Sequence, residues 1–159
     1  MKKYSIIFLQ LVIVLIGIAA LAIMIRFPLT EGRAVNLDLF SVYADPFILY
    51  VYVASIAFFV ALYQTFKLIG YIRQNKIFSL NSVKALRTIK HCAIVLSIFI
   101  VMAGLYIRIF HATDDDPTGF IAICIMTTFI SIIIAAVAAM FERILQNALN
   151  IKSENDVTV

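Results

Sequence analysis

Four stretches of this chain carry no charged side chain, and their length limits the folds open to it. The stretches are residues 4–25, 46–66, 92–107 and 117–141. A helix needs about 20 apolar residues to cross the hydrocarbon core of a bilayer, and three of the stretches reach that length. The third is extended by Ile89, Ile109 and Phe110, and Arg108 can reach the headgroups with its long side chain. Open strands are excluded, because every unpaired backbone group in lipid is costly.

The sequence therefore predicts an all-α membrane protein, a single domain of residues 1–159, with transmembrane helices at about 4–25, 46–66, 89–110 and 117–141. Hydrophobic residues make up 64% of the chain and charged residues 14%, against roughly 45–50% and about 25% in soluble proteins. The aromatic residues lie inside the apolar stretches and not among clustered Lys and Arg, so direct nucleic-acid binding is not expected.

Lys2 and Lys3 precede the first stretch, as they would in a signal peptide, and Ala20 to Ala22 offers small residues for cleavage. The apolar region of a signal peptide has about 7–15 residues, however, and this stretch is longer. We expect an uncleaved first helix.

Lys and Arg are unevenly divided between the two sides of the membrane. Ten lie at the N-terminus, in residues 67–90 or in the tail 142–159, and three lie in the first and third loops. Positive charge accumulates on the cytoplasmic side. The prediction is that both termini and the loop 67–88 lie in the cytoplasm.

The first outer loop, from Arg26 to Asp45, is too apolar for a free linker, and we expect a short interfacial helix within it. Asp45 followed by Pro46 is a typical helix start, because Asp can cap the helix and Pro suits its first turn.

The inner loop contains a turn and the start of an amphipathic helix. Gly70 to Lys76 is typical of a helix end, and Phe78 to Ser82 offers several capping side chains. From there, apolar residues at helical spacing alternate with basic ones and predict a cytoplasmic lead-in to the third span. The apolar residues are Leu80, Val83, Leu86 and Ile89, and the basic ones are Lys84, Arg87 and Lys90. This surface is either a basic belt against anionic lipid or a docking surface for an acidic partner.

Small residues repeat every four positions in the fourth span, at Ser131, Ala135 and Ala139. They allow close approach of another helix, within the bundle or in a dimer, so a homo-oligomer stays an alternative. Past the span, an apolar stripe continues and predicts a cytoplasmic extension of the helix to about Asn150. Its members are Phe141, Ile144, Leu145, Ala148, Leu149 and Ile151.

Candidate chemistry is sparse. Asp114, Asp115 and Asp116 beside His111 could hold a cation, but acidic residues at a helix start are more often caps, and we predict no metal. Cys92 and Cys124 are interpreted as packed thiols. The spans carry no Asp, Glu, Lys, Arg or His near their centres, and no phosphate loop or nucleophile elbow occurs. We therefore predict neither catalytic residues nor a cofactor.

Two segments resemble a known group of proteins. The stretch from Phe78 to Ile89 resembles the Phe-Ser, Asn, Leu-Arg-x-Ile stretch of domain-of-unknown-function family 2975, and the end from Phe141 to Val159 resembles that family's end more closely. Val157 stands where Leu is usual. The resemblance covers roughly Gln64 onward. It implies four membrane helices, a bacterial source and no established enzymatic activity, and family members are often encoded beside a small helix-turn-helix regulator.

The leading hypothesis is a non-enzymatic regulatory or interaction protein of the bacterial cell membrane that holds a soluble partner on its cytoplasmic face. A helix-turn-helix regulator is the first candidate, by resemblance. The alternatives are a small transport or channel subunit working as an oligomer, and an enzyme acting on lipid near Arg108 and His111. The candidate partner-binding residues are Phe78, Asn81, Lys84, Arg87, Glu154, Asn155, Asp156, Val157, Thr158 and Val159.

The segment Glu154 to Val159 has three interpretations: a frayed terminus, a recognition peptide, or a segment docked on the inner loop. In the third, Glu154 and Asp156 would meet Arg73, Lys76, Lys84 or Arg87.

Overall fold

A computed structural model describes residues 3–30, 38–110 and 118–158, and these residues form helices, with no strand among them. Four of the helices are long and apolar enough to cross a membrane, so the predicted all-α membrane fold with four spans is confirmed. The helices are α1 (Lys3–Thr30), α2 (Leu39–Tyr43), α3 (Pro46–Arg73), α4 (Leu80–Phe110) and α5 (Thr118–Val157).

The long helices are longer than the membrane requires. The predicted lead-in and third span form one helix of 31 residues, α4. The longest helix is α5, with 40 residues, which corresponds to about 60 Å at about 1.5 Å per residue. Since the hydrocarbon core is about 30 Å thick, much of α5 lies outside it. It continues to Val157, past the end predicted near Asn150.

The long helices pack in a row that follows their order along the chain. In the part of the chain that the structure describes, α1 packs against α2 and α3, α3 against α4, and α4 against α5, and the last of these contacts is the most extensive. The long helices alternate in direction. We call the end of the row that holds the α3–α4 connection and the C-terminus the turn end, and the opposite end the loop end. At the loop end, all four long helices line an apolar groove of about 310 Å³.

The predicted interfacial helix between Arg26 and Asp45 corresponds to the five residues of α2. Its Val42 is buried, and the hydroxyl of Tyr43 donates to the carbonyl of Ile25 at 3.1 Å. The predicted start of the second span is confirmed, because the Asp45 side chain accepts from the Phe47 amide at 2.8 Å.

Small residues position α5 against α4. Ser131 and Ala135 are buried, as is Ala138, while Ala139 is half-buried. The Ser131 hydroxyl donates to the carbonyl of Ala93 on α4 at 2.9 Å. The small residues therefore serve packing within the chain, as the first of the two interpretations predicted.

The possible cation site predicted from the sequence lies outside the described residues. His111, Asp114, Asp115 and Asp116 lie outside the described residues, as does Pro117.

Candidate functional site at the turn end

A compact turn connects α3 to α4. Asn75 has a φ of 56°, the left-handed conformation that Asn tolerates better than most residues. The amide of Asn75 donates to the carbonyl of Ile72 at 3.1 Å, and that of Lys76 to the carbonyl of Tyr71 at 2.9 Å. These two bonds form a Schellman motif, which satisfies the last carbonyls of a helix. The predicted helix end between Gly70 and Lys76 is confirmed.

Ser79 and Ser82 start α4. The amide of Ser82 donates to the Ser79 hydroxyl at 3.3 Å, as in a helix cap. The side chain of Ser82 is fully buried, and its hydroxyl donates to the carbonyl of Lys76 at 3.4 Å. The serines of the family-like stretch therefore shape the turn, whereas Phe78, which precedes them, and Asn81, which lies between them, are exposed.

Beneath the turn lies the hydrophobic core of the protein. Leu80, predicted to belong to the apolar stripe, is instead 62% exposed, because it is the first residue of α4 and lies outside the core cluster. The buried stripe also includes Ala85 and Ala93 and is therefore wider than predicted. The core cluster consists of Val83, Leu86, Ile89, Ala138 and Leu145, with Leu68, Ile77 and Leu149 packed against it.

The core covers half of the apolar stripe that was predicted to project from α5. Leu145 is buried and Leu149 packs on the cluster, whereas Phe141, Ile144 and Ile151 are exposed. The start of α4 therefore covers part of the apolar face of α5 that was expected to project into the cytoplasm.

Two cations meet one carboxylate at the edge of this core. The Nε of Arg87 lies 2.7 Å from Oε1 of Glu142, and the Nζ of Lys90 lies 2.6 Å from Oε2. Glu142 is 8% exposed, whereas the side chains of Lys90 and Arg87 are 25% and 56% exposed. Glu142 follows the apolar stretch that ends at Phe141. Hydrogen bonds from Lys90 and then Arg87 lower the pKa of its carboxyl, outweighing the effect of burial.

This arrangement bears on the predicted role of Arg87 and of the tail. Arg87 is bound to Glu142 of α5 and not to Glu154 or Asp156. Within the described residues, neither of those acids forms an ion pair with Arg73, Lys76 or Lys84. The structure therefore does not place the tail on the inner loop.

The tail instead prolongs α5. Every residue from Asn150 to Thr158 is exposed, so about two helical turns extend about 12 Å past the last packed residue, Leu149. The hydroxyl of Thr158 donates to the carbonyl of Glu154 at 2.8 Å. Val157 is 85% exposed. Val159 lies outside the described residues.

The exposed members of the predicted partner-binding set thus fall into two groups at the turn end. Phe78, Asn81, Lys84 and Arg87 lie around the start of α4. Glu154, Asn155, Asp156, Val157 and Thr158 lie on the projecting end of α5. The structure brings both groups to one end of the molecule but not into contact through an ion pair, among the residues described.

The arrangement is suited to recognition by charge and apolar contact. Across residues 3–30, 38–110 and 118–158, no group of three or more His, Cys, Asp or Glu side chains could hold a metal ion. Cys92 and Cys124 are half-buried free thiols, as interpreted from the sequence.

Sequence reasoning missed Glu142 as the residue that joins the two helices. A signal was available: Lys90 is the last charge before the third apolar stretch and Glu142 the first charge after the fourth. In antiparallel neighbouring helices such residues lie at the same depth.

Comparison with known proteins agrees with this architecture. The model of a family described as "Protein of unknown function (DUF2975)" matches residues 28–159, so the match begins well before the segments that carried the resemblance. The chain is 43% identical to the protein named "Uncharacterized membrane protein YoaS" of Bacillus subtilis (strain 168), and the alignment covers 100% of both chains. No solved structure matches this chain. With a match over most of its length and a relative of this identity along all of it, the chain belongs to the DUF2975 family of membrane proteins.

Proposed function

We propose that this chain is a non-enzymatic interaction protein of the bacterial plasma membrane, with both termini in the cytoplasm, which presents its turn end to a soluble partner. The observation that carries the proposal is the projection of α5, whose residues from Asn150 to Thr158 are all exposed. A helix of this kind offers a partner both side chains and a defined geometry.

The charges of the projecting end support a role in binding. Glu154 and Asp156 lie in the last turns of α5, where the carbonyl ends of the helix already carry partial negative charge. Acidic residues there disfavour an isolated helix end, and a basic surface on a partner would remove that cost. We infer that the partner presents Lys or Arg to this end, with an apolar pocket for Val157.

The orientation rests on the distribution of Lys and Arg, since the turn end carries the cationic segments of the chain. In the cytoplasm, the turn end is open to soluble proteins. The helix-turn-helix regulator suggested by the family resemblance is the first partner to test.

The experiment is crosslinking and pull-down from native membranes with the intact chain and with a chain lacking Glu154 to Val159. The intact chain is expected to retain a partner that the truncated chain loses, while membrane level and thermal stability stay equal. A second variant combines Glu154→Lys with Asp156→Lys and is expected to lose the partner without shortening the helix.

The matched control is Asp38→Lys, which reverses an exposed acid at the loop end. It is expected to leave partner capture unchanged. Retention of the partner by the truncated chain would contradict the proposal, as would solute flux through liposomes containing the purified protein, which would favour a transport subunit. If the truncated chain failed to accumulate, the tail would be part of the folded structure and not a binding segment for a partner.

A further inference from the structure

A second groove lies at the loop end, on the face of the α4–α5 pair. Its volume is about 430 Å³, within the range of sites that bind small ligands. One wall comes from α4, with Val101, Gly104 and Leu105, and the other from α5, between Ile121 and Ile132.

The groove exists because the two helices approach closely at its floor. Gly104 has no side chain, and a Cβ added there would lie 3.5 Å from the Cβ of Cys124. The flanking Leu105 and Ile125 are 55% and 54% exposed, so the groove opens toward the lipid. The hydroxyl of Thr128 is already used, because it donates to the carbonyl of Cys124 at 2.7 Å.

Arg108 is the charged residue of this groove and lies at its loop-end mouth. One helical turn separates it from Gly104, in the direction away from the turn end. It is exposed, and it forms no ion pair with any residue that the structure describes. A guanidinium at this depth can bind a phosphate through two parallel hydrogen bonds.

The length of the groove matches one leaflet. From Ile121 to Ile132, α5 rises about 16 Å, and half of the hydrocarbon core is about 15 Å. An apolar channel of one-leaflet depth with a cation at headgroup level has the chemistry of a phospholipid, an acyl chain below a phosphate. We propose that this groove binds one anionic glycerophospholipid of the leaflet at the loop end, with its phosphate on Arg108 and an acyl chain between α4 and α5.

The experiment measures lipid binding to the purified full-length protein in detergent, by native mass spectrometry and by thermal midpoint. The probes are phosphatidylglycerol, diacylglycerol with the same chains, and glycerol phosphate. Only phosphatidylglycerol is expected to remain bound and to raise the thermal midpoint, because it alone of the three probes has both a phosphate and acyl chains.

Variants separate this site from general lipid contact. Arg108→Gln is expected to weaken phosphatidylglycerol binding about tenfold or more, since a hydrogen bond to a charged group is lost, and Arg108→Lys is expected to restore much of it. Arg26→Gln, which removes an exposed cation outside the groove, is the matched control. Val101→Phe fills the groove and is expected to lower binding, whereas Val95→Phe, elsewhere on α4, is not.

Three results would overturn the proposal. Equal losses for Arg108→Gln and Arg26→Gln would indicate non-specific contact with surrounding lipid. If diacylglycerol bound as tightly as phosphatidylglycerol, the phosphate would contribute nothing to binding at this site. If glycerol phosphate bound as tightly as phosphatidylglycerol, the acyl chain would contribute nothing to binding.

Discussion

Lys90 and Glu142 meet at the same level of the turn end, with Nζ and Oε2 2.6 Å apart, although 51 residues separate them in the chain. Each is the charge nearest to its apolar stretch on that side of the membrane. Their contact therefore fixes both the depth of α4 relative to α5 and the rotation of the two helices about their axes.

The substitution Glu142→Gln is expected to lower the free energy of unfolding by about 1–3 kcal/mol, since two cations lose their anion at a site where Glu142 is mostly buried. The thermal midpoint in detergent measures this. Glu154→Gln removes an exposed charge from the same helix and is expected to change stability by less than about 0.5 kcal/mol. Equal effects of the two variants would show that the ion pairs contribute nothing.

Acid should weaken the same contact. The pKa of the Glu142 carboxyl is lowered in the folded protein, so its contribution to stability is complete above the ordinary pKa of glutamate, about 4.3. It is lost as the pH falls through the lower folded value. The thermal midpoints of the wild type and Glu142→Gln, compared between pH 7 and 3, should converge toward the acid end. A constant difference would contradict this linkage.

Close packing of α4 on α5 should not tolerate larger side chains. Ala138 is 4% exposed, so Ala138→Leu is expected to cost about 1–3 kcal/mol or more. Ala136→Leu makes the same change on an exposed face of the same helix, and its thermal midpoint should stay near that of the wild type. If Ala136→Leu proves the more damaging variant, the assigned face of α5 is wrong.

The turn between α3 and α4 depends on the left-handed conformation of Asn75. Asn75→Val should destabilise the protein by about 1–2 kcal/mol, whereas Asn75→Gly should cost little, because glycine adopts positive φ freely. Thermal unfolding of the two variants in detergent tests this pair. A valine that is tolerated as well as glycine would mean that the turn can take another conformation.

The orientation prediction is tested with a reporter that is active only in the cytoplasm. Fusions at Lys76 and after Val159 should be active, and fusions at Glu31 and Asp115 inactive, because ten of the thirteen Lys and Arg lie on the side of the termini. Activity at Asp115 would contradict the four-span topology with both ends inside.

The sequence predicted the spans well because charge is excluded from lipid. It also predicted the α3–α4 turn from the segment Gly70 to Lys76 and from the capping side chains between Phe78 and Ser82. It did not predict which faces of the helices meet. Ile132, half exposed, and Ala135, buried, lie in the same apolar stretch, and lipid is as apolar as a helix interface, so hydrophobicity does not separate them. Only the small residues of the fourth apolar stretch indicated which face of α5 packs against another helix.

The end of α5 was harder to predict for another reason. Its apolar stripe stops at Ile151, and Glu154 and Asp156 oppose the helix dipole, so sequence patterns favour an end near Asn150. No Gly or Pro follows to break the helix, however, and it continues to Val157. Arg87 was predicted to bind a partner for a similar reason. Its ion pair is with Glu142 on another helix, 55 residues away in the chain, and the sequence alone does not show that the two residues meet.

The row in which α3 packs on α1, α4 on α3 and α5 on α4 has a consequence for biogenesis. Each new span packs against the span inserted just before it, so the protein can assemble in the order of its synthesis without waiting for distant segments. The most extensive contact, α4 with α5, comes last. A chain that ends before α5 therefore lacks its most extensive contact between helices.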